Sequence, residues 1–334
     1  MTVDGTTQVT TDWAAVDAVR SAGGEPVARL MVRLERRLVE LATGHGADLA
    51  EFAGSTISAG GKRLRPLLVF LAAGVPAPES EALLSAGVAV ELVHAATLVH
   101  DDVLDGSALR RGRPTVVASG GRAAATATGD LLFSRAFAEL GTLRSADAIR
   151  ILSRASSELA AGELMQRADA WNASVSRERY LERCRLKTAV LFRGACELGA
   201  LFGGASAGID ALGRFGEDIG LAFQLLDDVL DVTGPPERTG KPRGADLLDG
   251  TVTLPLIEAL ARDPQLRSVD LRALRTADAA AVLCDRIAAT GALEVARGRA
   301  MGLVASAKEA LPELPDAQRA ALELVADGVV ERYS

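Results

Sequence analysis

Apolar residues recur along this chain every three to four positions, in blocks of helix length, and Gly or Pro clusters separate the blocks. That period marks helices with one buried face. Helices are predicted at about 13–22, 25–44, 47–59, 62–74, 79–105, 122–140, 145–168, 176–203, 208–232 and 252–262, with several more to the C-terminus. The breaks fall at the double glycine at 60, the PAP stretch at 76, RRGRPT at 110, the glycine pairs at 120 and 203, and the loop TGPPERTGKPRGADLLDG at 233–250. No run alternates with period two toward a hairpin dipeptide, and no Ser- or Pro-rich linker divides the chain. The pattern therefore predicts a single large all-α domain over 13–334 behind a polar tail at 1–12. The flanks of its similar segments repeat at no fixed period, which excludes a solenoid.

Two blocks violate the rule that charge stays off the apolar face. ALLSAGVAVELVHAATLVH at 82–100 runs straight into Asp101, Asp102 and Asp105, and FQLLDDVLDVTG at 223–234 repeats the triplet as Asp227, Asp228 and Asp231. The first block is long enough to span a bilayer, but Glu91, His94 and the aspartates make a core helix the better reading, so no transmembrane segment is expected.

Composition narrows the chemistry. Hydrophobic residues make up 49% of the 334 positions and aromatics only 4%, a balance that favours helices. A net charge of −7 argues against a nucleic-acid surface, so any anionic ligand needs a local basic cluster. Cys184, Cys196 and Cys284 form no CxxC pair and read as buried free thiols in a reducing cytoplasm. With only His45, His94 and His100, a histidine-rich metal site is not expected. The N-terminal MTVDGTTQVTTDW shows no signal-peptide pattern.

On a helix, residues four apart lie about 40° from each other around the axis, so Asp101 and Asp105 share a face, with Asp102 about 100° aside. Asp227 and Asp231 are related in the same way. Clustered carboxylates in an apolar setting raise one another's pKa and need compensation. A divalent cation supplies it. Mg²⁺ takes one or two protein carboxylates and completes its octahedron with water and substrate phosphates, whereas DVLDGSALRRG does not spell a calcium loop. A solvated helix end would explain one DDxxD. It does not explain two copies hemmed in by Leu and Val.

Only four of the 37 basic residues are lysine: Lys62, Lys187, Lys241 and Lys308. In so Arg-rich a chain, a lysine in an unusual segment suggests a need for a compact point charge. Lys62, with Arg63 and Arg65 close by, sits in GGKRLRP, where a double glycine opens a helix whose amides favour an anion. Arg110 and Arg111 follow the first triplet, and Lys241 and Arg243 occupy GKPRGAD in a long loop. His94 precedes Asp101 by two helical turns, close to the same face, where it could donate to a phosphate; His100 reads as structural. Basic clusters beside two carboxylate fans point to a diphosphate site.

These motifs, together with GDLLFSRAF, GELMQ and KTAVLF, resemble the trans-isoprenyl diphosphate synthases of the polyprenyl synthetase family, in order from about residue 50 to 260. The resemblance implies helices around a deep central cavity, Mg²⁺ dependence and a homodimer. It implies that Asp101, Asp102, Asp105, Asp227, Asp228 and Asp231 bind Mg²⁺ bridged to an allylic diphosphate such as geranyl, farnesyl or geranylgeranyl diphosphate. Lys62, Arg65, His94 and Arg111 would bind isopentenyl diphosphate, while Arg110, Lys187 and Lys241 hold the allylic partner. Thr188 and Gln224 would stand beside the allylic cation. The chain departs from the family where Thr251 replaces a lysine, for which Arg243 is a candidate substitute, and where Val232 replaces an aromatic.

Product length should follow from the residues one turn before the first triplet. Ala96 and Thr97 are small, which predicts a medium- or long-chain product unless Phe133, Phe137 or Leu152 closes the tunnel deeper down. Four rivals are a short-chain synthase, a terpene cyclase, whose second motif would be of NSE type, a non-catalytic subunit, which would be expected to lose one triplet, and a helical interaction protein, which explains the core but not the buried aspartates or the placed lysines.

Overall fold

A computed structural model describes residues 14–44, 46–75, 77–204, 208–235 and 242–331. Its helices are α1 (Ala14–Ala22), α2 (Gly24–Thr43), α3 (Ala47–Ser58), α4 (Leu64–Ala72), α5 (Glu81–Asp105), α6 (Val116–Gly141), α7 (Ala146–Asp169), α8 (Arg177–Cys184), α9 (Val190–Gly203), α10 (Ile209–Thr233), α11 (Ala245–Leu248), α12 (Leu254–Arg262), α13 (Ala277–Ala289), α14 (Ala292–Glu309) and α15 (Asp316–Glu331). Among the described residues the only strands are β1 (Leu109–Arg110) and β2 (Arg113–Pro114), which pair as a small antiparallel hairpin. The all-α expectation holds.

α5 is the central helix. Ser80 caps it by accepting from Leu83 N at 3.1 Å, and Gly106 ends it at φ 64°. Leu83, Val88, Val90, Leu92 and Val93 are fully buried on successive faces, so the helix is enclosed all round until its acidic C-terminal end. By length and composition it could cross a membrane, yet 78% of its most apolar window lies inside the protein. It packs chiefly on α6, while α10 lies between α9 and α14. Phe70, Phe192 and Phe215 anchor this core, each contributing about 1.5–3 kcal/mol of burial.

Local chemistry explains where element boundaries differ from expectation. α6 starts before the glycine pair at 120, because Thr115 caps Ala118 N at 3.2 Å and Gly121 absorbs the kink at φ 78°. The predicted helix at 62–74 begins only at Leu64, since Arg63 takes a left-handed conformation at φ 49°. The predicted helix at 176–203 is interrupted by a π turn over Arg185–Ala189, which swells the backbone at Lys187 and Thr188. Gly216 and Gly220 let α10 approach this region: a Cβ at Gly216 would stand 2.5 Å from Phe192 O, and one at Gly220 would stand 2.8 Å from Ala189 Cα.

Candidate functional site

The acidic ends of α5 and α10, the π turn and α11 converge on a polar cavity of about 270 Å³. Asp101 and Asp105 reach it from α5, and Asp227 and Asp228 reach it from α10. The helical spacing places these carboxylates as expected, but it does not bring all six together. Asp102, turned aside, is only 5% exposed and accepts from Arg110 Nε at 2.9 Å and Nη2 at 2.8 Å. Asp231 accepts from Asp246 N at 3.3 Å and is not among the lining residues.

Three of the remaining carboxylates have distinct environments. Burial pushes Asp101 up to about 6, against the pull of Lys187 and with repulsion from Glu163 and Asp105. Asp105 pairs with Arg167 Nη2 at 2.5 Å. Asp228 is buried and accepts from Tyr180 Oη at 2.6 Å and Gln224 Nε2 at 2.8 Å. Burial, then Asp246, raises its pKa despite those donors. Gln224 in turn accepts from Thr188 Oγ1 at 2.8 Å, so Thr188, Gln224, Asp228 and Tyr180 form one chain of hydrogen bonds.

Lys187 projects from the π turn to Glu163 at 2.5 Å and lines the cavity beside Asp101. Arg65 also lines the cavity, its guanidinium 4.5 Å from the Phe192 ring centroid and its Nε buried without a hydrogen bond. Burial pushes Arg65 down to about 10. His94 lines the cavity as well, held well below its ordinary value first by burial and then by Arg65, Arg111, Arg110 and Arg63. It is a neutral imidazole that can donate one N–H.

Arg110 and Arg111 line an adjoining cleft. Arg111, at φ 52°, lies over the glycine turn: a Cβ at Gly61 would meet its Nη1 at 3.1 Å. The turn carrying Lys62 and the RRG turn therefore meet, although Lys62 is not among the lining residues of either cavity. Arg63 turns inward instead, donating to Glu35 at 2.7 Å, Glu91 at 2.7 Å and the Ile57 carbonyl at 3.0 Å; it braces the core. Lys241 lies outside the described residues, as does His45.

A second, mainly apolar cavity of about 330 Å³ adjoins the first at Thr97, Asp101 and Lys187. Phe133, Leu159 and Ala160 line it, and its rim includes exposed Leu104 and Leu164. His100 belongs to this wall, with its ring centroid 5.8 Å from that of Phe133. Ala96 is fully buried in helix packing and lines neither cavity; Phe137 and Leu152 are also absent from the walls.

The lining of the polar cavity includes six carboxylates, because Asp246 and Asp249 of the α11 segment join the four above, against Arg65, Arg110, Arg183 and Lys187. An anionic diphosphate entering such a cavity needs added positive charge. Among the described residues no three acidic, His or Cys side chains are close enough to hold a metal alone. That arrangement fits a hard cation whose shell is completed by water and phosphate oxygens. Sequence reasoning missed Tyr180, Arg183, Asp246 and Asp249. The last two lay in a quoted loop, whereas Arg183 gave no signal among so many arginines. All three cysteines are buried and free, as expected.

Comparison with known proteins gives the family and the fold. The family model described as polyprenyl synthetase matches residues 47–287, well over half the chain. "Heptaprenyl diphosphate synthase component 2" of Geobacillus stearothermophilus is 41% identical over 69% of this chain and 72% of its own. The geranylgeranyl diphosphate synthase of Methanosarcina mazei is 36% identical over 83% of this chain and 87% of its own. Among solved structures, a polyprenyl synthase from Caulobacter crescentus, complexed with calcium and isoprenyl diphosphate, superposes with a TM-score of 0.89 at 36% identity, covering 96% of this chain and 98% of that one. The chain belongs to the polyprenyl synthetase family and is a prenyltransferase.

Proposed function

We propose that this enzyme is a Mg²⁺-dependent trans-polyprenyl diphosphate synthase, joining isopentenyl diphosphate head-to-tail to an allylic diphosphate and elongating to a medium- or long-chain product of C30–C50. The observation that carries the reading is the junction of two unlike cavities at Asp101, Thr97 and Lys187: one lined by carboxylates and cations, the other by Phe133, Leu159 and Ala160. A diphosphate head fits the first and a hydrocarbon tail the second.

Within that reading, Asp101, Asp105, Asp227 and Asp228 would hold Mg²⁺ against the allylic diphosphate, neutralising the charge that develops as the allylic C–O bond breaks. Asp102 and Asp231 act behind them, through Arg110 and the α11 backbone. Lys187 stabilises the departing diphosphate, with Arg110 beside it. Thr188 and Gln224 present oxygens next to the reacting carbon, their orientation fixed by the chain that ends at Tyr180. Arg65, neutral His94, Arg111 and Lys62 hold isopentenyl diphosphate so that its alkene faces the allylic carbon. No side chain is assigned as base; the released diphosphate takes the final proton.

Small Thr97 at the junction, and a tail cavity whose rim is open at Leu104 and Leu164, support elongation beyond a short product. The heptaprenyl relative favours the same length, whereas the Methanosarcina relative is named for a shorter one. A homodimer in the cytoplasm completes the proposal, and light scattering on the purified protein reads the assembly directly. To test the reaction, the enzyme is incubated with Mg²⁺, isopentenyl diphosphate and farnesyl diphosphate, and the products are resolved by length. A ladder reaching C30 or more is expected. Termination at geranylgeranyl would refute the length, and no elongation from any allylic primer would refute the reaction.

A further inference from the structure

Arg183 stands out by its surroundings. It lies on α8 one turn before Lys187, is 3% exposed, and lines the polar cavity together with Thr251 and Asp228. Its Nη2 donates to the Val252 carbonyl at 2.5 Å, and its guanidinium carbon lies 5.3 Å from the Tyr180 ring centroid. Its Nη1 is buried and makes no hydrogen bond. Asp169 Oδ2, itself buried without a hydrogen bond, forms an ion pair with Nη1 at 3.8 Å but lies too far to accept from it, and the other oxygen of Asp169 accepts from Arg179 Nε at 2.6 Å. A guanidinium is therefore fixed by one arm, with a donor on the other arm unsatisfied, at the edge of a site that must receive an anion. Buried donors without acceptors are costly, and a site retains them where the acceptor arrives from outside.

The clamp to Val252 sets this charge beside the turn that carries Thr251, where the chain supplies no lysine. Arg243, the other candidate to replace that charge, is committed elsewhere: Nε donates to the Val232 carbonyl at 2.5 Å and Nη1 to Asp285 at 2.7 Å, and Arg243 does not line the cavity.

We propose that Arg183 is a diphosphate-binding residue of this enzyme. Its Nη1 donates to an oxygen of the allylic diphosphate on the Thr251 side of the cavity, supplying the positive charge that position 251 lacks. The planar fork suits the task, because one arm is anchored on the backbone while the other meets a phosphate oxygen. The proposal rests on the reading of this cavity as the allylic diphosphate site.

The test measures inorganic pyrophosphate binding by calorimetry in Mg²⁺ buffer, together with both Michaelis constants and the melting temperature. Arg183→Gln should weaken pyrophosphate binding roughly 10- to 100-fold, the range for one lost charged hydrogen bond. KM for the allylic diphosphate should rise while that for isopentenyl diphosphate stays within about twofold. Adding Thr251→Lys to Arg183→Gln should restore most of the pyrophosphate affinity. A purely structural brace would lower the melting temperature, shift both constants alike and show no rescue by Thr251→Lys, and that result overturns the proposal. If Arg183→Gln fails to fold, Arg183→Lys carries the test: it keeps the charge but cannot span Val252 and the phosphate, so unchanged pyrophosphate affinity there refutes the role. A wild-type protein that binds no pyrophosphate overturns the underlying cavity reading instead.

Discussion

One methyl group at position 162 probes whether the π turn must hold Lys187 where it is. Gly162 on α7 faces that turn so closely that a Cβ would stand 2.5 Å from Lys187 N and 2.8 Å from Leu186 C and Lys187 Cα. Ordinary contact begins near 3.4 Å, so Gly162→Ala requires the turn to retreat by about 0.9 Å, the difference between the two distances. The obstacle is backbone and has no rotamer to escape into. Overpacking of this kind costs about 1–3 kcal/mol and lowers the melting temperature by several degrees. A shift of about 1 Å at a positioning group costs roughly 100-fold in rate, so kcat for isoprene incorporation should fall by that order while the helical circular dichroism persists. The control is Gly194→Ala on α9, whose Cβ would lie 3.6 Å from Ala155 Cβ and 3.7 Å from Ile151 Cγ2, an ordinary contact with the same helix α7. It should leave kcat within about twofold. A Gly162→Ala variant that loses stability yet keeps kcat within threefold would refute the requirement for Lys187 to sit at this spot.

The other predictions concern charge and tunnel. Burial raises Asp101 from its ordinary 3.8 to about 6, so the metal-free fold is penalised as pH rises from about 4 to 6, and the penalty is complete above that window. Asp101→Asn should therefore raise the melting temperature of EDTA-treated protein at pH 7.5, with the gain vanishing near pH 4; an equal gain at both would contradict the assignment. Lys62→Ala should raise KM for isopentenyl diphosphate about tenfold and spare that of the allylic partner, and steady-state kinetics showing the reverse would mean the two sites are exchanged. Thr97→Phe fills the junction between the two cavities and should shorten the product, as product chromatography reads; an unchanged ladder would remove Thr97 as a determinant of length.

The parts legible in sequence were those governed by local spacing. The helical period located α5 and α10, and the DDxxD repeat placed Asp101, Asp105, Asp227 and Asp228 on the cavity. Spacing also foretold that Asp102 would point aside, but not that Arg110 would meet it there. Missed features depend on partners distant in the chain. Arg63 and Arg65 are alike in sequence, yet a left-handed residue sends Arg63 to Glu35 and Glu91 while Arg65 faces the cavity. Tyr180 meets Asp228 across 48 positions and Arg183 meets Val252 across 69, contacts that no local pattern encodes. The π turn was equally hidden, because the sequence through KTAVLF keeps a helical apolar period across it.

The ion pairs of this structure bear on the order in which ligands assemble. Lys187 is held by Glu163, Arg167 bridges Glu163 and Asp105, and Arg110 is held by Asp102, so several of the cations near the site are already satisfied by carboxylates. On the proposed reading, a diphosphate arriving alone would have to draw Lys187 off Glu163 and would still face the carboxylate-rich ends of α5 and α10. A divalent cation arriving alone would find carboxylates but, among the described residues, no cluster able to enclose it. Together they exchange partners: carboxylate to metal, cation to phosphate. Each ligand then removes the charge that opposed the other, and by linkage the gain is reciprocal. Tight binding of either therefore depends on the other, and the carboxylate fans need no third ligand of their own.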